Sequence, residues 1–138
     1  MNKPIQEIED EIVEEFELFD EREGKYDLII DMGKKLKPLD PKYLKEDYLV
    51  RGCQAKVWLH AYKEGELIFF EADSDAIITK GIIALLMRAL SGQKPKDILD
   101  SQLLFIDRIH LRALLTSQRS NGLTAMIQRI KAYAGAFA

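Results

Sequence analysis

One segment constrains the fold of this chain more than any other, because it is apolar on nearly every side. Residues 76–91 have the pattern of a helix, and Gly92 is placed to end it. The apolar side chains are Ile77, Ile78, Ile82, Ile83, Ala84, Leu85, Leu86, Met87 and Leu90. A helix that is apolar all round is buried on most of its surface. The rest of the chain must therefore pack around it, and we expect it to be the central helix of the core.

Three polar residues just before this segment predict where the helix begins. Asp73, Ser74 and Asp75 have side-chain oxygens of the kind that accept hydrogen bonds from the first N–H groups of a helix. We expect one of them to be the N-cap. Two carboxylates this close could also serve acid–base chemistry, but capping explains both of them without it.

Two alternating segments ahead of the central helix predict a β-hairpin. Residues 54–62 alternate between apolar side chains and polar or aromatic ones, and residues 67–72 are rich in strand formers. Residues 48–51 are expected to add a short third strand. Because so small a sheet is not stable by itself, helices must cover it, which indicates an α+β fold.

Further helices are predicted on both sides of the hairpin. They are residues 4–19, 25–36 and 95–99, one or two short pieces within 103–115, and a last helix that Thr116 or Ser117 caps. The first helix carries seven acidic residues between Glu7 and Glu17, which form either a solvated surface or a docking surface for a basic partner. Gly122 is unexpected inside the last helix, where glycine costs roughly 1 kcal/mol relative to alanine. A close approach by another backbone, or a site in the first turn, would account for it.

The overall composition excludes several classes of protein. The 138 residues carry a net charge of −3 with a pI of about 5.5, which argues against a nucleic-acid partner because phosphate binding needs a basic face. No stretch is long and apolar enough to span a membrane, and the acidic N-terminal residues do not resemble a signal peptide. A single cysteine cannot form an internal disulfide, so we expect a cytoplasmic, reducing compartment. The length predicts one domain, residues 1–138.

The best candidate for chemistry is Cys53, the only cysteine, which follows Gly52 at a predicted turn into the first strand. Glycine permits a backbone conformation that a packed strand does not need. Arg51 and Lys56 flank the thiol in sequence, and their charge would favour the reactive thiolate. The alternative is a structural role, because free cysteine is among the most buried residue types.

Counting residues excludes the commoner kinds of cysteine chemistry. Of the two histidines, His60 lies roughly 23 Å from Cys53 along an extended strand, so it cannot act as the base of a hydrolase. Nothing marks His110 for that role. The Cys-x-x-Cys spacing of zinc sites, a resolving cysteine and a glycine-rich phosphate loop are all absent. We therefore expect no metal and no cofactor.

Three motifs along the chain point to a family. They are Val-Arg-Gly-Cys-Gln-Ala-Lys-Val-Trp at 50–58, Asp-Ser-Asp-Ala-Ile-Ile-Thr-Lys-Gly at 73–81, and Leu-Thr-Ser-Gln-Arg-Ser-Asn-Gly-Leu-Thr-Ala-Met at 115–126. In order and spacing they resemble the motifs of the SufE family, the sulfur-acceptor proteins that partner cysteine desulfurases in iron–sulfur cluster assembly. Ala55 stands where the family usually has serine, and Ser117 where it usually has proline.

The resemblance implies both a fold and a function. The fold would be α+β, with helices packed on a small three-stranded antiparallel sheet, similar to the IscU-type scaffolds. Those scaffolds hold a cluster with three cysteines, and the single cysteine here favours carrying sulfur instead. The protein would be an accessory sulfur carrier rather than an enzyme, a monomer or weak homodimer. It would take persulfide sulfur from a SufS-like or related PLP-dependent cysteine desulfurase, stimulate that desulfurase, and pass the sulfur to an iron–sulfur scaffold complex.

Residue roles follow from the same resemblance. Cys53 is the implied persulfide acceptor, kept in an apolar pocket at rest, where burial would raise its pKa, and released when the desulfurase docks. Asp75 and Arg119 would lie near the cysteine loop and tune its release. The loop itself would be shaped by Arg51, Gly52 and Gln54. Two alternatives are a desulfurase regulator that carries no sulfur, and an unrelated α+β module with a structural cysteine.

Overall fold

In the computed structural model, which describes residues 3–138, the chain forms an α+β fold of seven α-helices and one two-stranded sheet. The helices are α1 (Ile5–Glu17), α2 (Arg22–Lys34), α3 (Ile77–Leu90), α4 (Pro95–Asp100), α5 (Phe105–Arg108), α6 (Leu111–Leu114) and α7 (Ser117–Phe137). The strands are β1 (Val57–Glu64) and β2 (Leu67–Ser74), and two 3-10 turns, Pro41–Tyr43 and Glu46–Tyr48, precede the cysteine segment. Across the described residues, none of the helices combines the length and hydropathy needed to cross a membrane.

The predicted hairpin is present, with β1 and β2 paired antiparallel along their whole length. The third strand expected at residues 48–51 is wrong. Within residues 3–138 the sheet has two strands, and Leu49 forms only an isolated bridge with Trp58. Tyr48 still belongs to a 3-10 turn and the chain reverses at Gly52, so too few residues are extended to form a ladder. The expected likeness to IscU-type scaffolds stays a prediction.

Helix α3 lies at the centre of the core, as its composition predicts. Ile83 and Leu86 are fully buried, and helix α2 packs along the same helix. The two helices approach closely at a pair of glycines, since a Cβ added to Gly81 would lie 2.2 Å from the carbonyl oxygen of Ile29. This contact gives a structural reason for Gly81, the last residue of the motif at 73–81.

The predicted N-cap of α3 is wrong. Ala76 occupies the cap position, and no side chain caps the helix. Strand β2 runs on to Ser74, so the polar side chains here serve the end of the strand and the cysteine segment instead. The hydroxyl of Ser74 donates to the carbonyl oxygen of Lys56 at 2.8 Å, and Asp75 Oδ1 accepts from the Lys56 N–H at 3.0 Å. Asp73 forms an ion pair with a lysine of α3.

The remaining predicted helices are present with shifted ends. Helix α2 begins at Arg22, three residues earlier than predicted, where the Arg22 guanidinium donates to a main-chain carbonyl oxygen of α6 at 3.1 Å. The segment 103–115 holds two four-residue helices, α5 and α6, separated by His110 in the left-handed region with φ of 55°. Thr116 caps α7 as predicted, because its Oγ1 accepts from the Arg119 N–H at 3.3 Å.

Candidate functional site

The cysteine segment is a short loop, residues 51–55, that is closed at its base. The N–H of Val50 donates to the carbonyl oxygen of Val57 at 2.8 Å. At the turn Gly52 has a φ of +94°, a conformation in which any other residue is strained, so the prediction of a special backbone position here is confirmed. A Cβ on Gly52 would also lie 3.2 Å from the Ala125 Cβ of α7, and the loop therefore packs against that helix.

The thiol of Cys53 is half-buried against the first turns of α7. Its Sγ lies 3.5 Å from the carbonyl oxygen of Gly122, within hydrogen-bond distance for sulfur. A Cβ on Gly122 would be 3.4 Å from the same sulfur and 3.8 Å from the Cys53 Cα. The close approach predicted from a glycine inside the last helix is thus present, and the approaching group is the cysteine loop.

Burial dominates the electrostatics of the thiol. It raises the pKa of Cys53 above the ordinary value, because the thiolate would lose hydration there. Arg51 does not offset this effect, since its exposed guanidinium pairs with Glu46 at 3.1 Å, and Lys56 is exposed to solvent. The expectation that these two cations favour the thiolate is wrong for the resting structure. The resting thiol is protonated and weakly nucleophilic at neutral pH.

Cys53 opens onto a pocket of about 330 Å³ between the loop and the first turns of α3 and α7. The residues that line it are Cys53, Gln54, Ala55, Asp75, Ala76, Thr79, Ile82, Gln118, Arg119, Gly122 and Met126. The buried side chains of Ile82 and Met126 make the floor apolar, and the exposed side chains of Gln54, Asp75 and Arg119 make the mouth polar. The pocket is large enough for the sulfur and one further atom or small group.

The structure brings together four of the six residues predicted for the site. Asp75 and Arg119 come from distant parts of the sequence, yet both line the pocket with Cys53 and Gln54. Asp75 holds the end of the loop through its bond from the Lys56 N–H. The Arg119 guanidinium makes no hydrogen bond or ion pair within the described part of the chain, so its charge is available at the mouth. The other two predicted residues, at 51 and 52, form the turn and lie outside the pocket lining.

Neither histidine lies in this pocket. The ring of His60 stacks on Tyr43 on the outer face of the hairpin, with 3.8 Å between ring centroids, and Tyr48 packs edge-on against it. His110 is exposed at the start of α6. Both positions agree with the exclusion of a Cys–His pair. Among residues 3–138, no group of three or more His, Cys, Asp or Glu side chains is placed to hold a metal ion.

Two parts of the site were not predicted. One is the Gly122 carbonyl as acceptor for the thiol, although the glycine itself signalled a close approach. The other is Arg129 on α7, which donates to the carbonyl oxygens of Leu49 and Asp47 at 3.1 and 3.2 Å, just before the loop. Its only signal in the sequence is a spacing of two helical turns from Gly122, which places both on one face of α7.

Sequence comparison relates this chain to one family. The sequence model of SufE, described as an Fe-S metabolism associated domain, matches residues 10–134. An uncharacterized SufE-like protein of Rhizobium meliloti (strain 1021) is 36% identical over 130 residues, which span 91% of this chain and 93% of that protein. SufE-like protein 1 of Arabidopsis thaliana, named as chloroplastic/mitochondrial, is also 36% identical over 130 residues, but the match spans 35% of that longer protein.

Structural comparison agrees at the level of the fold. The solution structure of a hypothetical protein from Thermus thermophilus superposes with a TM-score of 0.78, covering 94% of this chain and 95% of the other. The two sequences are 23% identical, so this likeness concerns the fold alone.

Proposed function

The chain belongs to the SufE family of Fe-S metabolism associated proteins, and from this premise we propose that it is a sulfur carrier in iron–sulfur cluster assembly. It accepts persulfide sulfur on Cys53 from a PLP-dependent cysteine desulfurase, stimulates that desulfurase, and passes the sulfur to a scaffold complex. It acts as an accessory protein in the compartment that holds this desulfurase, which we take to be the cytoplasm, as a monomer or weak homodimer.

One observation carries the proposal: the single thiol lies at the edge of a small pocket with an apolar floor and, among the described residues, an unpaired cation at its mouth. A hydrolase would need a base within hydrogen-bond reach of the sulfur. The acceptor found for Cys53 Sγ is instead the main-chain oxygen of Gly122, which cannot take the proton. Such a site suits a thiol that receives one atom and later releases it.

The transfer itself is a thiol–persulfide exchange and needs no external oxidant. The Cys53 thiolate attacks the outer sulfur of the desulfurase persulfide, and a new S–S bond forms on Cys53. The S–S bond of the donor breaks, and its electron pair leaves with the desulfurase cysteine as a thiolate, which takes up the proton that Cys53 lost. Exchange of this kind depends on thiolate and on access to the donor sulfur.

Closed and open loop states would have different reactivity. In the closed loop, burial keeps the pKa of Cys53 raised and the thiol protonated. Moving the loop out of its pocket would return hydration to the sulfur, bring the pKa of Cys53 back toward the ordinary value and expose the sulfur. When the loop closes again, the outer sulfur lies in the pocket, away from small reductants. Asp75 holds the loop end, and Arg119 offers positive charge to an anionic persulfide.

Desulfurase turnover separates this proposal from the alternative of a regulator that carries no sulfur. We would measure alanine release by a SufS-like desulfurase with L-cysteine, with and without the wild-type protein, and with Cys53→Ser. The carrier predicts stimulation by the wild type and none by C53S. Stimulation that survives in C53S supports the regulator, and a protein that neither binds nor stimulates such a desulfurase contradicts both.

A further inference from the structure

The segment from the second 3-10 turn to Cys53 packs along one face of helix α7. Gly122 meets the sulfur of Cys53, Ala125 packs against Gly52, and Arg129 binds the main chain before the loop. These three positions on α7 are spaced by three and four residues, which puts them on one side of the helix. The segment therefore runs along α7 in the opposite direction to the helix, and each turn of the helix contacts it once.

The two ends of the loop are fixed in different ways. At its carboxyl end, Lys56 is held by Ser74 and Asp75 through both its N–H and its carbonyl oxygen. At its amino end, where Val50 pairs with Val57, Arg129 binds the main chain from α7, and the exposed pair of Arg51 with Glu46 adds a second contact.

Arg129 is well placed to fix that amino end. Its part-buried guanidinium donates to two nearby carbonyl oxygens of the segment, at Asp47 and Leu49, and lies over the ring of Tyr133 with 5.3 Å to the centroid. The hydroxyl of Tyr133 in turn donates to the carbonyl oxygen of Leu59 in β1 at 3.1 Å. The planar guanidinium can bond two oxygens at once, which a lysine ammonium does with less geometric definition. Arg129 thus ties the segment, α7 and the strand together.

We propose that Arg129 is a positioning residue for sulfur acceptance: by fixing the carbonyl oxygens of Asp47 and Leu49, it sets the reach of the loop so that Cys53 rests against Gly122. Across the described residues, the bond from the thiol to Gly122 is the only hydrogen bond between residues 51–55 and α7. One weak bond to sulfur cannot seat the loop by itself. The resting position of the thiol therefore depends on how both ends of the loop are held, and Arg129 acts on the amino end; the inference rests on the proposed function only for its biological meaning.

Helix α7 offers a matched control two residues away. Lys131 also donates to two main-chain carbonyl oxygens, of Ser101 at 2.7 Å and Leu99 at 3.5 Å, but these lie at the end of α4, away from the cysteine loop. Replacing either cation by methionine removes comparable bonds from one helix. Only the change at Arg129 should act on the thiol.

The test is the alkylation rate of Cys53 by iodoacetamide as a function of pH in R129M, R129K, K131M and the wild type, alongside thermal unfolding. We expect R129M to react faster on the order of tenfold, with the midpoint of its pH profile closer to that of an ordinary thiol, and K131M to follow the wild type. R129K, which keeps the charge, should fall between, and it decides the question if R129M does not fold.

Two results would overturn the inference: a wild-type profile in every Arg129 variant that folds, or an equal acceleration in K131M, which would indicate general loosening. The assay needs no desulfurase. A failure of sulfur carriage would therefore leave its outcome untouched, and the two claims can fail separately.

Discussion

The sulfur of Cys53 rests 3.5 Å from the carbonyl oxygen of Gly122, inside a helix that begins 64 residues after the cysteine. A helix carbonyl in the first turns is normally bonded within the helix, and here it also faces the thiol. The space at position 122 is small, because a Cβ there would already be in van der Waals contact with the sulfur at 3.4 Å. Gly122 of the third motif and Cys53 of the first are therefore in contact, and the space at Gly122 determines where the thiol rests.

A larger side chain at position 122 should displace the thiol of Cys53 from its resting position. Gly122→Val places methyl groups beyond a Cβ that is already 3.4 Å from the sulfur, so the closed loop would be overpacked by about 1–3 kcal/mol. We expect the loop to open instead and Cys53 to alkylate faster, on the order of tenfold for each 1.4 kcal/mol. Gly135→Val in the same helix is the control, because nothing lies within 4 Å of a Cβ there. Equal alkylation rates in the two variants would show that Gly122 does not seat the thiol.

The other end of the loop can be tested through Asp75, whose carboxylate accepts from the Lys56 N–H at 3.0 Å. Asp75→Ala removes the acceptor and leaves an amide without its partner, at a cost of about 1 kcal/mol. We expect D75A to alkylate severalfold faster at Cys53, and Asp75→Asn, which keeps an oxygen acceptor, to stay near the wild type. If D75N behaves like D75A, the charge of Asp75 matters rather than its hydrogen bond.

Arg119 should affect the stability of the persulfide on Cys53 rather than the position of the resting loop, since its guanidinium has no hydrogen bond within the described residues. Arg119→Met is expected to leave the thermal midpoint and the alkylation rate of the free thiol unchanged. It should speed the loss of the outer sulfur from Cys53-persulfide to dithiothreitol roughly two- to fivefold, as expected for an exposed charge pair of up to about 1 kcal/mol. Arg119→Lys keeps the charge and should resemble the wild type. A changed alkylation rate in R119M would instead mean that Arg119 braces the loop.

His60 predicts a loss of stability in mild acid. Its pKa is lowered chiefly by burial and also by Lys42, while Glu71 opposite it in β2 raises it. The unfolded chain therefore binds a proton at higher pH than the folded chain does. The contribution of His60 is complete above its unfolded pKa, about 6.5, and is lost as the pH falls from there to the lower folded value.

The matched variant for this effect is His60→Phe, which keeps a ring to stack between Tyr43, Tyr48 and Tyr62 but cannot titrate. Urea unfolding at pH 7.5 and pH 5.5 should show a larger drop in the free energy of unfolding for the wild type than for H60F. The same drop in both proteins would assign the acid sensitivity to other groups.

The sequence predicted the structure best at positions where the residue type allows a single physical explanation, such as burial of an apolar helix or a backbone position that needs glycine. The all-round apolar pattern of residues 76–91 can only be buried, Gly52 stands where any other residue is strained, and Gly122 lies where the cysteine loop approaches α7, so all three were predicted. Local patterns failed where tertiary contacts override them. Asp75 has the chemistry of an N-cap, yet the strand before it continues far enough to turn its carboxylate to Lys56.

Sequence neighbourhood also failed to predict which charges act on the thiol. Arg51 neighbours Cys53 in sequence, but the turn at Gly52 points it to Glu46, and the pKa of the thiol is set by burial instead. The contact of Arg129 with residues 47–49 depends on how α7 lies along the segment. No pattern within either stretch carries that information, because the two are 80 residues apart.

The most direct test of the central claim is the intact mass of the protein after a single round of sulfur transfer. Wild type and C53S would each be incubated with a SufS-like desulfurase and L-cysteine, alkylated with iodoacetamide and weighed, with and without prior dithiothreitol. A persulfide carrier predicts one additional sulfur on the alkylated wild type, its removal by dithiothreitol, and no additional sulfur on C53S. An active desulfurase that leaves no sulfur on the wild type, or that leaves the same sulfur on C53S, would contradict the assignment of Cys53 as the acceptor.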